Sequence, residues 1–316
     1  MNNIEKLNEN MIDISVNISG VILKNPVIAA SGTFGMGTSY SQIFDPSLLG
    51  GICTKGLTYY PRKGNKGRRI FETPSGLLNS IGLENPGIEY FIKHDLHILK
   101  DFKTTVIANL SGADIDEYVN GAKLLNETYV DIIELNISCP NVKAGGMAFG
   151  MDPKTAASVT ASVKNVCSKK PLMVKLSPNA PSLAEVALAC VKAGADALSL
   201  VNTFKAMAID TLNRKPVFEN ITAGLSGPAI KPIALRMVWE IYDFLKDLNA
   251  LVPIIGIGGI TSINDALEFL MAGACAIQVG SATFANPNTM PEIINGINTY
   301  MKDNKFKKLC EISIKS

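Results

Sequence analysis

Polar side chains end several segments of this sequence that are otherwise apolar, and these side chains are the first candidates for chemistry. They are lysines, asparagines and a cysteine: Lys55, Asn109, Asn136, Cys139, Lys175 and Asn202. Transfer of an ammonium or an amide into a protein interior is unfavourable unless it meets a partner. Each residue alone could be a strand end that reaches solvent. Five polar strand ends together predict one site for an electron-rich, hydrogen-bonding ligand.

Cys139 is the candidate for a reactive group. It lies beside Pro140 and just ahead of the glycine-rich segment 143–150, which we expect to act as a mobile lid. A free thiol has a pKa of about 8.5, so a modest shift makes it a general base near neutral pH. Most cysteines are structural instead. That interpretation applies to the cysteines in apolar runs, namely Cys53, Cys167, Cys190 and Cys275.

Two glycine-containing turns follow the last two strand-like segments, over residues 254–262 and 278–282. Glycine lets backbone N–H groups approach an anion closely, and the N-terminus of a following helix adds a favourable dipole. We therefore predict a phosphate site here, with tight turns that bind nothing as the alternative. The first turn is not a Rossmann fingerprint, because Thr261 stands where that motif requires Gly or Ala.

The elements that must position these residues follow a strand–helix pattern. Eight short runs are continuously apolar, as expected of parallel strands buried on both faces: 27–32, 50–56, 105–111, 130–140, 172–178, 195–203, 252–260 and 274–284. Amphipathic stretches of helical length lie between most of them, including 115–127, 152–168, 182–193, 228–248 and 262–272. This alternation favours an α/β fold with a closed (β/α)8 TIM barrel over an open doubly wound sheet.

Further features support a barrel. The segments 192–200 and 271–279 are alike, and we expect Gly194 and Gly273 to end the helices there. An N-terminal β-hairpin over residues 14–23 is expected to close the barrel bottom, with its turn at Ser19-Gly20. The longest predicted loops would all leave the C-terminal face, where barrel enzymes place their chemistry: 57–78, 141–151 and 204–227.

The totals limit the class of protein. A length of 316 residues, 47% hydrophobic and 18% charged, fits one barrel domain over residues 1–316. A net charge of +2 gives no reason to expect a nucleic acid partner. A polar N-terminus and no long apolar run predict no signal peptide and no membrane association. Six scattered cysteines without a C-x-x-C pattern predict a cytoplasmic location and no iron–sulfur cluster in this chain.

Two other features have a plain interpretation beside a functional one. The basic run 62–69 is either a solvated loop or a docking surface for a partner. The spacing of His94 and His97 could suit a metal ion, but no cysteine or carboxylate pattern completes a site, and we predict none. With no histidine near the polar strand ends, hydrolysis by a Ser–His pair is not expected.

Several motifs together resemble class 1 dihydroorotate dehydrogenases over nearly the whole chain. The most specific is Asn136-Ile-Ser-Cys139-Pro-Asn141 after the fourth strand. The others are Ala30-Ser31-Gly32-Thr33-Phe34-Gly35, Thr54-Lys55-Gly56, Asn79-Ser80-Ile81-Gly82-Leu83, Val174-Lys175-Leu176, Val201-Asn202-Thr203, Gly224-Leu225-Ser226-Gly227, Gly256-Ile257-Gly258-Gly259 and Gly280-Ser281. The resemblance implies oxidation of (S)-dihydroorotate to orotate in pyrimidine biosynthesis.

The resemblance implies FMN as the cofactor, one per chain. Its contacts would be Ser31, Lys55, Gly56, Asn109, Asn136, Lys175, Val201, Gly227, Gly258, Gly259, Gly280 and Ser281. Lys175 would sit beside the isoalloxazine, where a cation stabilises the negative charge of reduced flavin. The two glycine turns would hold the phosphate.

The resemblance also implies a substrate site and a base. Substrate contacts would be Lys55, Asn79, Ser80, Ile81, Gly82, Leu83, Asn136, Asn202 and Thr203. Cys139 would take a proton from C5 of dihydroorotate while the hydride leaves C6 for the flavin. Class 2 enzymes use serine as the base and carry a membrane-associating extension, whereas this sequence has a cysteine and no such extension.

Within class 1, the segment 203–216 and the loop after Asn141 are most similar to the NAD-linked type 1B. By that resemblance the chain forms a homodimer that joins an iron–sulfur flavoprotein electron-transfer subunit in a heterotetramer. FAD and a 2Fe–2S cluster would belong to that partner alone. Thr54 and the loop 63–69 depart from the family pattern, which bears on partner docking.

Three rival interpretations remain. A dihydropyrimidine dehydrogenase-type flavin enzyme uses the same cysteine logic, but Lys55 and Asn79 suit a carboxylate better than a neutral ring. A Schiff-base aldolase would use Lys175 as its nucleophile. A scaffold without activity has no use for lysines at buried strand ends.

Overall fold

The computed structural model describes residues 12–137 and 149–315. Eight parallel strands form a closed barrel in it, as the strand–helix pattern predicts. In order around the barrel they are β3 (Val27–Ala29), β4 (Gly51–Cys53), β7 (Thr105–Leu110), β8 (Ile132–Asn136), β9 (Leu172–Lys175), β10 (Ala197–Leu200), β15 (Ile254–Ile257) and β16 (Ala276–Val279), which pairs with β3 again. Their side chains are almost all buried, which explains the continuous apolar runs.

Each predicted strand is present but shorter than its apolar run. The largest difference lies at the end, where the run 274–284 is a strand only over Ala276–Val279. Residues Ala282–Ala285 form a short helix instead. The strand ends before Gly280, and Phe284 in the short helix is exposed, so this part of the apolar run does not belong to the buried ladder.

Helices cover the outside of the barrel. They are α1 (Ile88–Tyr90), α2 (Leu96–Asp101), α3 (Ile115–Asn126), α4 (Pro153–Lys164), α5 (Leu183–Lys192), α6 (Lys231–Asp247), α7 (Ile263–Met271), α8 (Ala282–Ala285) and α9 (Thr289–Asp303), with a π-helical stretch at Phe91–Asp95 and short 3-10 turns at Tyr40–Gln42, Pro46–Leu48, Pro228–Ile230 and Leu309–Ile312. Capping residues set the starts of α3, α4 and α7: side chains of Asp114, Asp152 and Ser262 each accept a backbone N–H of the first turn. Gly194 and Gly273 follow α5 and α7 with φ near +100° and +104°, as helix-ending glycines require.

The predicted N-terminal hairpin consists of β1 (Val16–Ile18) and β2 (Val21–Leu23). Its turn residues Ser19 and Gly20 have φ of 50° and 97°, the positive values of a tight hairpin turn. The Ser19 hydroxyl donates to the carbonyl oxygen of Asp196 at 2.6 Å, just before β10 begins. The hairpin therefore contacts the bottom of the barrel, as expected.

The prediction of plain loops over 57–78 and 204–227 is wrong, because both contain strands. Together they build a four-stranded antiparallel sheet, in the order β11 (Phe204–Met207), β14 (Thr222–Ser226), β6 (Gly76–Asn79) and β5 (Ile70–Thr73), and a small pair of β12 (Ile209–Asp210) and β13 (Lys215–Pro216). These strands are short and half-buried, so they lack the apolar runs that identify barrel strands. No helix among the described residues is both long and apolar enough to cross a membrane.

Candidate active site

A cavity opens at the carboxyl ends of the barrel strands. Its empty space is about 1230 Å³, including the part open to solvent. Strand ends, the four-stranded sheet and the two glycine turns all contribute to its walls.

Most residues proposed from the sequence line this one cavity. They are Ser31, Lys55, Gly56, Asn79, Ile81, Gly82, Leu83, Asn136, Lys175, Val201, Asn202, Thr203, Gly227, Gly258, Gly259, Gly280 and Ser281. Ser80 and Asn109 are buried behind the wall and do not line the cavity. The proposed base Cys139 lies outside the described residues.

Glu134 is the centre of a polar cluster inside the barrel. It is fully buried, and its carboxylate lies 3.9 Å from the Lys175 ammonium. The carboxylate also accepts hydrogen bonds from buried side chains of four other residues: Cys53 Sγ at 3.1 Å, Ser199 Oγ at 2.8 Å, Gln278 Nε2 at 2.7 Å and Asn109 Nδ2 at 2.5 Å. A buried charge is tolerated when it is paired and hydrogen-bonded, and every oxygen of this carboxylate meets that condition.

The surroundings of Glu134 decide its protonation state. Burial alone raises the pKa of the Glu134 carboxyl, but the Lys175 charge and the bonds from Cys53 and Gln278 outweigh burial and lower the pKa below its usual value. Burial and the nearby Glu134 charge raise the pKa of the Cys53 thiol well above its usual value. Cys53 is therefore a neutral donor to a charged carboxylate, which agrees with the structural role predicted for it.

A row of side-chain amides runs from Glu134 to the cavity. Asn109 donates to Glu134, and Asn136 Nδ2 donates to Asn109 Oδ1 at 3.2 Å. Asn202 Nδ2 donates in turn to Asn136 Oδ1 at 3.4 Å. Because a carboxylate can only accept hydrogen bonds, the amide nitrogen of Asn109 must face Glu134 and its amide oxygen must face Asn136. Each amide in the row then sets the orientation of the next one. Asn136 and Asn202 thus present defined groups to the cavity.

The four-stranded sheet forms the opposite wall. Asn79, the last residue of β6, pairs with Gly224 of β14, and its Nδ2 donates to the Gly224 carbonyl at 3.2 Å. A Cβ on Gly224 would lie 2.2 Å from Thr203 Oγ1, so only glycine lets Thr203 pack here. Contacts among Asn79, Thr203 and Gly224 therefore join the two inserted segments, 57–78 and 204–227, at the cavity.

The glycine turns have the backbone geometry that close packing requires. Gly258 and Gly259 have φ of 136° and 69°, and a Cβ on Gly259 would lie 2.8 Å from the Gly227 carbonyl oxygen. Side chains larger than hydrogen are strained at such φ values. An added Cβ on Gly280 would make only ordinary contacts, the nearest at 3.6 Å, and Gly280 lines the cavity.

Asp265 holds the first turn in place from behind. Its Oδ2 accepts from the Thr261 backbone N–H at 2.9 Å and from the Thr261 and Ser262 hydroxyls, and its Oδ1 accepts from Lys231 Nζ at 2.7 Å. Burial raises the pKa of the Asp265 carboxyl, but the bonds from Lys231 and Thr261 outweigh it and lower the pKa to about 2. The Lys231 charge is thus neutralised by a carboxylate.

Reasoning from the sequence missed two residues of this site, Glu134 and Gln278. Glu134 lies two residues before Asn136 on β8, so both point into the barrel, and a charged residue within an apolar strand is a signal that was available. Gln278 lines the cavity and is 1% exposed. Within the described part of the chain, its Oε1 has no hydrogen-bond partner.

The side chains that could bind a metal ion do not cluster in the part of the chain that the structure describes. No group of three or more His, Cys, Asp or Glu side chains lies close enough there to hold an ion. The ring of His94 packs on Tyr90 with centroids 4.4 Å apart. Both residues belong to the helical stretch before β7, away from the cavity.

Comparison with known proteins gives the family. The model of the family described as dihydroorotate dehydrogenase matches residues 13–301. A catalytic subunit named dihydroorotate dehydrogenase B (NAD(+)) from Petrotoga mobilis is 57% identical over 302 residues, 96% of this chain and 99% of that protein. Subunits of the same name from Brachyspira hyodysenteriae and Caldicellulosiruptor saccharolyticus are 52% and 50% identical, over 96% and 95% of this chain and 98% of each relative. The chain belongs to the dihydroorotate dehydrogenase family, and its motifs and relatives place it with type 1B.

Proposed function

We propose that this chain oxidises (S)-dihydroorotate to orotate in the synthesis of pyrimidines. The observation that carries the proposal is the cavity itself, which is lined by Lys175, by an oriented row of amides and by two glycine turns. That combination suits a flavin cofactor beside a small, polar ring. The names of the relatives support the same reaction.

The residues present fit FMN, one per chain. The backbone of Gly280 and the turn at Gly258 and Gly259 line the cavity and suit a phosphate group bound by backbone N–H groups. Gln278 Oε1, which lacks a partner within the described chain, suits a ring N–H. Bound here, FMN would supply the acceptor for the hydride that dihydroorotate loses. Lys175 places a positive charge at the cavity wall, where it stabilises negative charge on a bound ring.

The opposite part of the cavity suits dihydroorotate. Lys55 supplies a positive charge for the carboxylate, and the amides of Asn79, Asn136 and Asn202 supply donors and acceptors for the ring. The backbone of Ile81, Gly82 and Leu83 completes this wall. Dihydroorotate carries a carboxylate, which suits Lys55 and Asn79 better than a neutral dihydropyrimidine ring does, so dihydroorotate is the preferred substrate.

Cys139 is the base in this proposal. It follows Asn136 by three positions in the sequence, and Asn136 is the last residue of β8 and lines the cavity. A thiolate at this position takes the proton from C5 of the ring as the hydride leaves C6. The thiol acts on the carbon acid, while Asn136 and Asn202 hold the ring.

The proposal includes a partner subunit. The relatives are named as NAD(+)-linked catalytic subunits, which supports transfer of electrons to NAD through a second protein. We assign FAD and a 2Fe–2S cluster to that iron–sulfur flavoprotein, and we propose a homodimer of this chain within a heterotetramer. The free thiols of the described chain suit the reducing cytoplasm as its location.

A Schiff-base aldolase is the weaker alternative. An amine that attacks a carbonyl must be uncharged. Lys175 is instead paired with the buried Glu134 carboxylate at 3.9 Å. Lys175 therefore suits charge stabilisation better than nucleophilic attack.

An anaerobic visible spectrum of the purified protein, taken before and after addition of dihydroorotate, tests the proposal. A flavin band that bleaches with dihydroorotate, and bleaches far more slowly in Cys139→Ala, is the expected result. Bleaching by dihydrouracil but not by dihydroorotate would replace the substrate and keep the flavin. A colourless protein that FMN does not reconstitute would refute the proposal.

A further inference from the structure

The cavity wall formed by Ile81, Gly82 and Leu83 is not part of a strand. β6 ends at Asn79, and the chain then turns with positive φ at Gly82 (73°) and Leu83 (55°). A positive φ is unfavourable for leucine, so the surrounding structure must hold this segment in shape. Because the other side of this segment borders the cavity, the contacts that hold it lie on the side away from the cavity.

Asn65 lies at that position, inside the basic run 62–69. Its side-chain Nδ2 donates to Ser80 Oγ at 3.0 Å and to the Ser80 carbonyl at 3.3 Å. Its backbone N–H donates to the Ile81 carbonyl at 2.9 Å. Ser80 is 1% exposed and faces away from the cavity, which explains why it does not line it.

The segment that contains Gly64 and Asn65 packs closely against the wall segment that contains Ile81 and Gly82. A Cβ on Gly82 would lie 2.4 Å from Asn65 Oδ1, and a Cβ on Gly64 would lie 2.6 Å from the Ile81 carbonyl oxygen. Both glycines have positive φ. The shape of the wall and the shape of the basic run therefore depend on each other.

Arg69 in turn holds Asn65. Its Nε donates to the Asn65 carbonyl at 2.7 Å, and its guanidinium pairs with Glu84 at 2.6 Å. The Ser80 N–H donates to the Arg69 carbonyl at 2.8 Å. At least this arginine of the basic run is thus directed onto the protein rather than into solvent.

We propose that Asn65 is a positioning residue for substrate binding, which acts through Ser80 to hold the backbone of Ile81–Leu83 against the substrate. The inference rests on the proposed function, because that function makes this wall a substrate contact. Asn65 touches neither the flavin part of the cavity nor the reacting atoms. Its loss should therefore weaken substrate binding without changing the flavin content or the chemical step.

Asn65→Asp is the main test, since it keeps the size of the side chain against Gly82 and replaces the donor that faces Ser80 with an acceptor. The expected result is a KM for dihydroorotate and a Kd for orotate raised about tenfold, with kcat within about twofold of the wild type. Orotate binding is measured by titration of the flavin spectrum in the absence of turnover. Lys66→Ala is the control, because the Lys66 side chain is exposed in the same run.

Hydrogen exchange provides a second measurement that a general loss of stability would not reproduce. The amide of Ser80, protected by Arg69 in the wild type, should exchange faster in Asn65→Asp while amides of the barrel strands stay unchanged. If Asn65→Asp gives no soluble flavoprotein, Asn65→Ser removes the same donor and is judged by the same criteria.

The outcomes separate the two proposals. Wild-type protein that does not bleach with dihydroorotate refutes the proposed function. Active wild type with KM, Kd and Ser80 exchange unchanged in the Asn65 variants refutes the positioning role alone. An equal loss of kcat and kcat/KM, or an equal effect of Lys66→Ala, also refutes it.

Discussion

Replacement of Glu134 by glutamine tests whether the buried carboxylate holds the site together. The change keeps the size of the side chain and removes its charge, which lies 3.9 Å from the Lys175 ammonium. Two charges at this separation attract by about 4 kcal/mol at an effective dielectric constant of about 20. Loss of one partner of a buried pair costs about 3–5 kcal/mol. We expect the free energy of unfolding to fall by that amount and Tm by about 5–8 °C.

The assay is denaturant and thermal unfolding at pH 7 with a fixed excess of FMN, so that cofactor binding affects all variants alike. Glu268→Gln is the matched control. Glu268 also pairs with a lysine, Lys231 at 3.0 Å, but its side chain is 43% exposed. An exposed pair contributes at most about 1 kcal/mol, so this variant should stay close to the wild type.

A double variant separates the ion pair from the hydrogen bonds. Glu134→Gln leaves the Lys175 ammonium without its carboxylate, whereas Glu134→Gln with Lys175→Met leaves no charge. The double variant should therefore be more stable than the sum of the single effects predicts, by about 2 kcal/mol or more. Additive effects, or a loss in Glu134→Gln no larger than in Glu268→Gln, would refute the reasoning.

The same carboxylate predicts a pH dependence. Its pKa is lowered in the folded protein, so its contribution to stability is complete above the unfolded pKa of about 4.3 and is lost as the pH falls through the folded value. The difference in stability between wild type and Glu134→Gln should therefore shrink on acidification.

Three other predictions follow from single contacts. The pKa of Asp265 is lowered to about 2, so its carboxylate stabilises the fold above about pH 4. In denaturant titrations from pH 5 to 2, the wild type should lose about 1–2 kcal/mol more unfolding free energy than Asp265→Asn. Parallel curves of stability against pH would contradict this. Burial raises the pKa of the Cys190 and Cys275 thiols to about 12. When the native protein is treated with iodoacetamide at pH 8, both should therefore stay unlabelled, whereas the exposed Cys310 should react. Mass spectrometry of the labelled peptides measures this. Gly256→Ala would place a Cβ 2.5 Å from the Phe269 ring and should lower the unfolding free energy by about 1–3 kcal/mol; unchanged stability in denaturant would show that the ring has room to move.

Much of the fold follows from patterns that are local in sequence. The apolar runs identify all eight barrel strands because buried parallel strands need no polar residues on either face. The glycine turns and the capping residues Asp114, Asp152 and Ser262 are likewise decided by residues a few positions apart.

The rest depends on contacts between distant residues. Strand β6 pairs with β14, and nothing within either short strand indicates its partner. Glu134 gains its role from Lys175, Ser199 and Gln278, which come from three other strands. The sequence identifies residues of the site by type, whereas the amide row and the Asn65 contacts require coordinates.

The four-stranded sheet has a consequence for the order of folding. The bond from Asn79 to Gly224 joins residues 145 positions apart, and closing a loop of that length is unfavourable until other contacts have brought its ends together. Between those positions lie four barrel strands, β7 to β10, and the strands β11, β12 and β13 of the segment 204–227. We therefore expect the substrate wall to form after these four strands, half of the barrel, have assembled. A partly folded chain lacks this wall of the substrate site. Binding of the substrate therefore indicates that the segments around Asn79 and Gly224 are in contact.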